Sequence, residues 1–407
     1  MIGRAMISVI EAQRILHENV PAPQQISVSI DEAFGLYLFE DIKAPDSSPR
    51  YTNSAMDGYA VRWADCAEAS ADNPVQLEII GESQAGIPFA GEVLKNSAVR
   101  ISTGAMLPDG ADTIIRVEDT EDLEGYVNIL AVKKQGQDVR HKGEEFAEGQ
   151  LLFLKGDCLG ARELALMAAV GLHTVPVYAK PDVILLVTGT ELVCHDEATI
   201  KPHQIRDSNT IMLASAIRES GGVLRSTSQV EDSLKHTIQA LEDGVASGVK
   251  LIICSGGVSV GRHDHVREAA AQAGFEELFW QIRQKPGKPL YVGRKGETLI
   301  FGLPGNPVSA YMCFRNFVRP VLAELQGTSC FDQTLTAIVS EQMTNKGKRT
   351  LFVRVKIENR PNQLALVKEV GQQGSHMLST IAHADGYVVL QPGEVLQPGS
   401  LKEVSLF

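Results

Sequence analysis

The sequence is poor in cysteine, with six in 407 residues, and no two of them form a Cys-x-x-Cys pair. They stand far apart, at Cys66, Cys158, Cys194, Cys254, Cys313 and Cys330. Structural metal clusters and disulfide frameworks both need closer or more regular cysteine spacing. We therefore expect buried free thiols in a reducing cytoplasm.

Long hydrophobic runs are also absent. No stretch approaches the roughly 18 consecutive apolar residues that a membrane-spanning helix requires. The first twenty residues do not resemble a signal peptide, because Arg4, Glu11, Arg14 and Glu18 interrupt them. These absences predict a cytoplasmic protein that does not act at a membrane.

Positive charge is scarce as well, since the sequence has 38 lysines and arginines but 50 aspartates and glutamates, which gives a net charge of -12. A general nucleic-acid-binding protein needs a basic face, so this balance argues against nucleic acid as a partner. If the substrate is anionic, a few placed lysines and arginines must overcome the overall negative field locally.

The sequence does contain enough apolar residues, 44%, for globular cores. A length of 407 residues predicts roughly two to four domains at about 150 residues each. Local composition predicts a discontinuous helical, linking domain (1-49 and 146-179), a β-rich inserted domain (50-145), an α/β domain (180-327) and a terminal β domain (328-407).

The stretch from 180 to 327 has the clearest pattern, because apolar strands alternate there with helices. The expected strands are 183–187, 223–229, 250–254 and 299–301, and the expected helices are 210–220, 233–246, 266–273 and 308–325. Strands buried on both faces and separated by helices predict a parallel, doubly wound sheet. Such sheets bind ligands in the crevice at the carboxyl ends of their strands.

Two loops of this segment follow buried strands directly. Thr188-Gly189-Thr190-Glu191 is either an ordinary turn with a solvated glutamate or the position of a metal-binding or acid/base carboxylate. The loop 255–264 is glycine-rich and precedes a helix, so it is either a flexible connector or an anion-binding loop with Asp264 near its end.

Two further loops contain proline, glycine and charge. Lys285-Pro286-Gly287-Lys288-Pro289 is a surface turn or a stiff loop that offers two ammonium groups to an oxyanion. The loop 302–309 joins a strand to a helix, with Pro307 as a plausible first helical residue and Ser309 behind it. Together the four loops predict a site for a phosphorylated ligand with a divalent cation, for which Mg²⁺ is suitable.

A separate short stretch, 52–60, leaves two interpretations open. Asp57-Gly58 is typical of a turn, yet Asp57 is also a carboxylate that could take part in chemistry. We expect Asn53, Ser54 and Gly58 to hold it.

Five motifs follow one another along the chain: NSAMDGYA (53–60), STGA (102–105), SGGVSVG (255–261), KPGKP (285–289) and GLPGNPVSA (302–310). In this order they resemble the MoeA-type molybdopterin molybdenumtransferases, whose relatives include the C-terminal domain of gephyrin. The resemblance extends over essentially the whole chain.

The resemblance implies an enzyme of molybdenum cofactor biosynthesis. Such an enzyme inserts molybdate into adenylylated molybdopterin with release of AMP, requires Mg²⁺ and forms an elongated homodimer. The adenylyltransferase that supplies this substrate is a further expected partner. The implied fold is a multidomain α/β and β protein, with a doubly wound molybdopterin-binding-like α/β domain, an interrupted helical domain, a β-rich insertion and a C-terminal β-barrel. In such dimers the insertion of one subunit lies near the α/β cleft of the other.

The resemblance also implies roles for individual residues. The catalytic positions are Asp57, Thr103, Glu191, Asp232 and Asp264, with Glu191 and Asp264 as the metal ligands. The substrate-binding positions are Ser255, Gly256, Gly257, Ser259, Lys285, Lys288, Pro304, Pro307, Ser309, Arg354 and Ser375. Two residues depart from the family pattern: Thr190 replaces an acidic or amide residue, and Glu145 stands where aspartate is common.

Two other functions are compatible with parts of this pattern. The α/β domain alone resembles molybdopterin adenylyltransferases, although these lack the insertion and the terminal β domain. A non-enzymatic, gephyrin-like scaffold is the second alternative. The sequence does not discriminate molybdate from tungstate, because the two oxyanions have nearly the same size and charge.

Overall fold

The computed structural model of the protein describes residues 6–258, 265–330 and 332–407. Its chain divides into two compact units, one made of Met1–Ser27 and Pro176–Phe407 and the other of Val28–Val175. The division into four domains stays a prediction. Within the described residues, no helix is long and apolar enough to cross a membrane.

The first helix, α1 (Val9–His17), begins directly after Ser8. The Ser8 hydroxyl accepts a hydrogen bond from the backbone N–H of Glu11 at 3.1 Å, which satisfies one of the free donors of the first turn. Ala12 and Leu16 are buried on its inner face. Strand β1 (Gln25–Ser29) follows it.

The unit Val28–Val175 is built around a six-stranded sheet. Its helices and strands are β2 (Ile42–Lys43), β3 (Asn53–Ser54), β4 (Gly58–Val61), α2 (Trp63–Cys66), β5 (Val75–Ser83), β6 (Ser97–Ile101), β7 (Thr113–Arg116), β8 (Thr120–Leu123), β9 (Tyr126–Ile129), β10 (Val139–Arg140), β11 (Leu151–Phe153) and α3 (Ala161–Ala169). Strand β12 (Thr174–Tyr178) begins at the end of this unit. The strand order is β7-β4-β6-β5-β9-β8. The alternating apolar side chains Tyr59, Leu77 and Ile115 form part of its core.

The α/β sheet lies in the other unit and is mixed, not purely parallel. The strands and helices of this segment are β13 (Asp182–Thr188), β14 (Leu192–Val193), β15 (Ile205–Arg206), α4 (Asn209–Glu219), β16 (Val223–Val230), α5 (Leu234–Ala246), β17 (Leu251–Ser255), α6 (Val266–Gln272), β18 (Glu276–Trp280), β19 (Gln284–Lys285), β20 (Tyr291–Lys295), β21 (Thr298–Leu303), α7 (Pro307–Cys313) and α8 (Arg319–Leu325). The strand order is β16-β13-β17-β21-β20-β18. The first four strands pair in parallel, and β20 runs antiparallel to both of its neighbours, β21 and β18. Helices cover both faces, as the two separate apolar cores against this sheet show.

The predicted single helix 308–325 contains a π-helical segment, Phe314–Val318, between α7 and α8. Pro320 follows this segment, and a proline has no N–H to donate to the preceding turn. A π-helical turn absorbs such an interruption without ending the helix.

The terminal β segment closes into a five-stranded barrel. Its elements are β22 (Thr334–Val339), β23 (Met343–Thr344), β24 (Thr350–Glu358), β25 (Leu366–Glu369), α9 (Ser379–Ala382), β26 (Gly386–Leu390), β27 (Val395–Leu396) and β28 (Leu401–Leu406). The ring runs β24-β25-β22-β28-β26 and returns to β24. The short strand β19 adds to β24 in parallel, so a piece of the α/β segment is hydrogen-bonded to the barrel.

Candidate functional site

A cleft of about 600 Å³ lies at the carboxyl ends of the parallel strands, where doubly wound sheets bind ligands. Its lining comes from the ends of three strands and the loops that follow them, together with the residues around the start of α4. These residues are Thr188, Gly189, Glu191 and Leu192 at and after the end of β13, 205–209 before and at the start of α4, 255–258 at and after the end of β17, 304–307 after β21, and Asp232, Pro289 and His376. Three of the four loops singled out in the sequence therefore meet here, and the fourth contributes Pro289.

Two of the predicted carboxylates line this cleft. The Asp232 carboxylate accepts a hydrogen bond from the backbone N–H of Thr190 at 2.9 Å, which fixes the loop after β13 against it. Glu191 follows in the same loop and is exposed. The residue that departs from the family pattern, Thr190, therefore contributes its backbone N–H, which any residue other than proline supplies.

The glycine-rich loop begins at Ser255, which is buried at the end of β17. Gly256 adopts a φ of +93°, and a Cβ there would lie 2.7 Å from the carbonyl oxygen of Thr188. The chain can therefore turn so close to the neighbouring strand end only with glycine at this position.

Asn209, at the start of α4, ties two of the loops together and was missed from the sequence. Its Nδ2 donates to Ser255 Oγ at 2.9 Å and to the carbonyl oxygen of Gly305 at 2.8 Å. Because a carbonyl oxygen only accepts, the amide orientation is fixed. The neighbouring Arg206, Asp207 and Ser208 also line the cleft. Their position in the sequence could have predicted this, because these residues follow the first strand of the sheet along the chain and precede its first helix.

The Pro304 and Pro307 positions line the cleft, whereas Ser309 is buried inside α7. Asn306, between them, donates from Nδ2 to Ser375 Oγ at 3.3 Å, and the backbone N–H of Val308 donates to the Ser375 carbonyl at 3.2 Å. The predicted Ser375 is thus held against the cleft loop, and the next residue, His376, lines the cleft itself.

The two predicted lysines are exposed and do not line the cleft. Lys288 lines a second cavity of about 520 Å³ together with Met6, Arg283, Lys348 and Arg349. We call this cavity the basic pocket.

Arg354 was expected to contact substrate, but its side chain is 0% exposed. Its Nε donates to Thr380 Oγ1 and its Nη2 to the Gly374 carbonyl, both at 3.3 Å, while Nη1 is buried without a partner among the described residues. Burial lowers the pKa of Arg354 to about 10, so the guanidinium is still charged at neutral pH. The loop that contains Gly374 would have to move for this side chain to reach a ligand.

Asp57 and Thr103 lie together in the unit Val28–Val175. Asp57 Oδ1 accepts hydrogen bonds from the Thr103 backbone N–H at 2.7 Å and from Thr103 Oγ1 at 3.0 Å. These bonds, the backbone bond first, lower the pKa of the Asp57 carboxyl below its usual range. The expected support from Asn53 and Ser54 was wrong, because their side chains donate to the carbonyls of Tyr51 and Met56.

The remaining residues named in the sequence analysis are Ser259, Asp264, Glu145 and the cysteines. Ser259 and Asp264 lie outside the described residues. The Glu145 carboxylate accepts from Ser48 Oγ at 2.6 Å. All six cysteines are free, as expected, but Cys158 and Cys194 are exposed and Cys330 is only partly buried, so the expectation of uniform burial was wrong.

Comparisons with known proteins agree along the whole chain. Residues 7–171 match the family model for the MoeA N-terminal region (domains I and II), residues 184–324 a probable molybdopterin binding domain, and residues 336–407 the MoeA C-terminal region (domain IV).

Individual relatives cover nearly the full length. A molybdopterin molybdenumtransferase 2 of Mycobacterium tuberculosis is 35% identical over 401 residues, covering 96% of this chain and 97% of the relative. A molybdopterin molybdenumtransferase of Bacillus subtilis is 32% identical over 375 residues, covering 90% of this chain and 86% of the relative. The crystal structure of a molybdopterin biosynthesis MoeA protein from Pyrococcus horikoshii has a TM-score of 0.86 at 31% identity and covers 99% of both chains. The chain therefore belongs to the MoeA-type molybdopterin molybdenumtransferases, a family of enzymes of molybdenum cofactor biosynthesis.

Proposed function

We propose that this protein inserts molybdate into adenylylated molybdopterin and releases AMP in an Mg²⁺-dependent reaction. The observation that carries the proposal is the cleft, where a glycine-rich loop, two predicted carboxylates and the Pro-Gly-Asn-Pro turn meet at the carboxyl ends of the parallel strands. A ligand with a pterin, a phosphate and an adenylyl group needs such a large, polar, open site.

The residues of the cleft fit Mg²⁺, which prefers oxygen ligands and is bound through one or two carboxylates together with phosphate oxygens. Glu191 and Asp232 supply carboxylate oxygens, and the proposed second ligand, Asp264, lies outside the described residues. The three-ligand cluster that the described residues do contain, Cys194, His195 and Asp196, offers sulfur and nitrogen donors and is less suitable. When bound, Mg²⁺ would polarise the phosphoanhydride.

The chain's own groups orient the phosphate. Ser255 Oγ accepts a hydrogen bond from Asn209, so its own proton is available for a phosphate oxygen. Ser375 Oγ likewise accepts from Asn306 and keeps its proton for an oxyanion. One oxygen of Asp232 is used by Thr190, which leaves the other for the cation.

We also propose a homodimer in which Asp57 acts on the substrate bound by a second copy of the chain. The support is the resemblance, together with an exposed carboxylate that Thr103 keeps ionised. Mixing a variant Asp57→Asn with a second variant Glu191→Gln tests this, because mixed dimers would regain one complete site. Activity that stays at the level of the separate variants would contradict it.

The proposed reaction is tested with purified protein, adenylylated molybdopterin, Mg²⁺ and either molybdate or tungstate. AMP release that depends on both the oxyanion and Mg²⁺, and that Glu191→Gln strongly lowers, is the expected result. Rapid adenylylation of molybdopterin by ATP in the absence of molybdate would instead identify an adenylyltransferase and contradict the proposal.

A further inference from the structure

The loop that follows β14 brings together three side chains that can bind a metal ion, outside the lining of the cleft. Cys194, His195 and Asp196 are consecutive and exposed, and one ligand atom of each lies within 4.8 Å of the other two. Among the residues that the structure describes, no other group of three histidine, cysteine, aspartate or glutamate side chains comes so close together.

The spacing of the sulfur and the imidazole nitrogen fits a single ion. A Zn–S bond of about 2.3 Å and a Zn–N bond of about 2.0 Å at a tetrahedral angle place the two donor atoms about 3.5 Å apart. The distance from Cys194 Sγ to His195 Nδ1 is 3.7 Å, so these two atoms can bind one ion almost without movement. The Asp196 carboxylate is exposed, and a rotation of its side chain brings an oxygen to the same ion.

Backbone hydrogen bonds hold this turn at both of its ends. The N–H of Glu197 donates to the Cys194 carbonyl at 3.2 Å and closes the turn over His195 and Asp196. Strand β14, just before the turn, pairs in parallel with β15. Arg206, in β15, donates from Nη2 to the Glu197 carbonyl at 2.8 Å. The three side chains therefore project from a short segment that is already fixed, which lowers the conformational entropy lost when an ion binds.

The type of ion follows from the donor atoms. One thiolate, one imidazole and one carboxylate are the three kinds of ligand that Zn²⁺ accepts in proteins, whereas Mg²⁺ prefers oxygen alone. Three protein ligands leave one tetrahedral position free. We propose that Cys194, His195 and Asp196 bind one Zn²⁺ ion, whose fourth coordination position is taken by water or an external ligand. On binding, the Cys194 thiol loses its proton to solvent.

The ion would lie close to residues of the cleft without belonging to its lining. Ile205 and Arg206 line the cleft, and Arg206 is the residue that donates to the Glu197 carbonyl of the turn. An ion bound at the turn would therefore hold one wall of the cleft in place. The inference is independent of the proposed reaction, because Zn²⁺ binding is measured without substrate.

Calorimetry with Zn²⁺ alone provides the first test. The full-length protein is reduced with a phosphine, treated with a chelator, desalted and titrated with zinc chloride. We expect one ion per chain, an affinity lowered at least about 100-fold in C194S/H195Q, and a loss of about tenfold in D196N. The matched control C158S/H173Q changes an exposed cysteine and an exposed histidine outside both the cluster and the cleft, and should stay within about twofold of the wild type.

Cobalt(II) reports on the ligands themselves, because it occupies tetrahedral zinc sites and absorbs light. The wild type should show a thiolate-to-cobalt charge-transfer band in the near ultraviolet and the strong visible bands of a four-coordinate ion. Cys194→Ser should remove the charge-transfer band, and excess Mg²⁺ should leave the wild-type spectrum unchanged. A weak, six-coordinate spectrum without the charge-transfer band would overturn the proposal.

The affinity for Zn²⁺ should fall as the pH falls, because protons compete for the thiolate and the imidazole. An affinity that does not depend on pH would contradict ligation by Cys194 and His195.

Three results of the calorimetry would overturn the assignment. They are equal affinities in C194S/H195Q and the wild type, an equal loss in C158S/H173Q, and wild-type binding only at millimolar Zn²⁺, which would indicate an adventitious ion only. A loss of Zn²⁺ binding in E191Q/D232N would place the ion in the cleft and also overturn it. Without metal, C194S/H195Q should unfold at the same temperature as the wild type, and added Zn²⁺ should raise the Tm of the wild type alone.

Discussion

The cleft and the basic pocket are neighbours with opposite charge. Glu191, Asp207 and Asp232 face a single arginine, Arg206, among the described lining of the cleft, whereas four cations and no carboxylate line the described part of the pocket. Asp207 is further committed to capping α4, since it accepts from the backbone N–H of Thr210 at 3.0 Å. The two cavities therefore differ in their electrostatic potential. The carboxylates of the cleft repel a phosphate unless a cation binds between them, whereas the cations of the basic pocket attract an anion directly.

The largest expected effect is on the rate of AMP release when the carboxylates of the cleft are removed and the basic pocket is left unchanged. The double variant E191Q/D232N should lower kcat for AMP release by about 1,000-fold, because the cation and the developing charge lose their support. Its affinity for inorganic molybdate, measured without a pterin substrate, should stay within twofold of the wild type, because neither substituted residue lines the basic pocket. Coupled AMP detection and calorimetry measure the two quantities on the same preparation.

A result in which both quantities fall together would show that the cleft and the pocket form one site. The control is K180E/R218E, which alters surface charge without touching either lining.

The glycine-rich wall of the cleft gives the second prediction. Gly256→Ala introduces a Cβ 2.7 Å from the Thr188 carbonyl oxygen at a φ of +93°, and should lower the free energy of unfolding by about 3 kcal/mol. Gly248→Ala is the matched control, because its φ of +77° is also positive but nothing lies within 4 Å of the added carbon. It should cost only about 1 kcal/mol. Equal losses in urea unfolding would contradict the close approach between the two strand ends.

A third prediction compares a buried guanidinium with an exposed one of the basic pocket. Arg354 is fully buried with Nη1 unpartnered among the described residues, so Arg354→Met should raise the free energy of unfolding by about 1–3 kcal/mol while activity falls. Arg283→Gln, at an exposed position, should change it by less than about 0.5 kcal/mol. A loss of stability in Arg354→Met would mean that the long hydrogen bonds to Thr380 and Gly374 outweigh the cost of burying the charge.

The smallest effect concerns the pH dependence of Asp57, a carboxylate outside both cavities. Its pKa is lowered first by the Thr103 backbone N–H and then by the Thr103 hydroxyl. A lowered pKa contributes stability that is present above the unfolded-state value and is lost as the pH falls through the folded-state value. Thr103→Val removes only the hydroxyl bond, so the Asp57 pKa and the acidic limb of activity should move upward. An NMR titration of the Asp57 carboxyl measures this directly, with Thr120→Val as the control, and a downward shift would contradict the hydrogen-bond assignment.

The buried strands of the α/β sheet were predicted well from the sequence, because each is a short, continuous run of apolar residues. Val183 to Val187 is continuously apolar and lies inside β13 (Asp182–Thr188), flanked by strands on both sides. The antiparallel pair β18 and β20 was missed, since Glu276–Trp280 and Tyr291–Lys295 mix charge with apolar residues at the edge of the sheet. The Gly296 turn between β20 and β21 was the available signal.

The candidate site was predicted in part for the same reason. Residues in loops after apolar strands, such as Glu191 and Ser255, could be assigned to the sheet edge from the topology. The burial of Arg354 could not, because it depends on how the loop at Gly374 folds over β24. Nor could the basic pocket, because Arg283 and Arg349 are 66 residues apart and meet only through the pairing of β19 with β24.

That pairing also connects the lysine loop to the barrel through backbone hydrogen bonds. The amides of β24 should then exchange with solvent at a rate that reports whether Arg283 and its neighbours are still in place. A ligand that binds only the paired form slows this exchange by linkage, even at amides it never contacts. Hydrogen-exchange protection in the barrel strands would thus serve as a remote reporter of events at the Lys285–Lys288 loop.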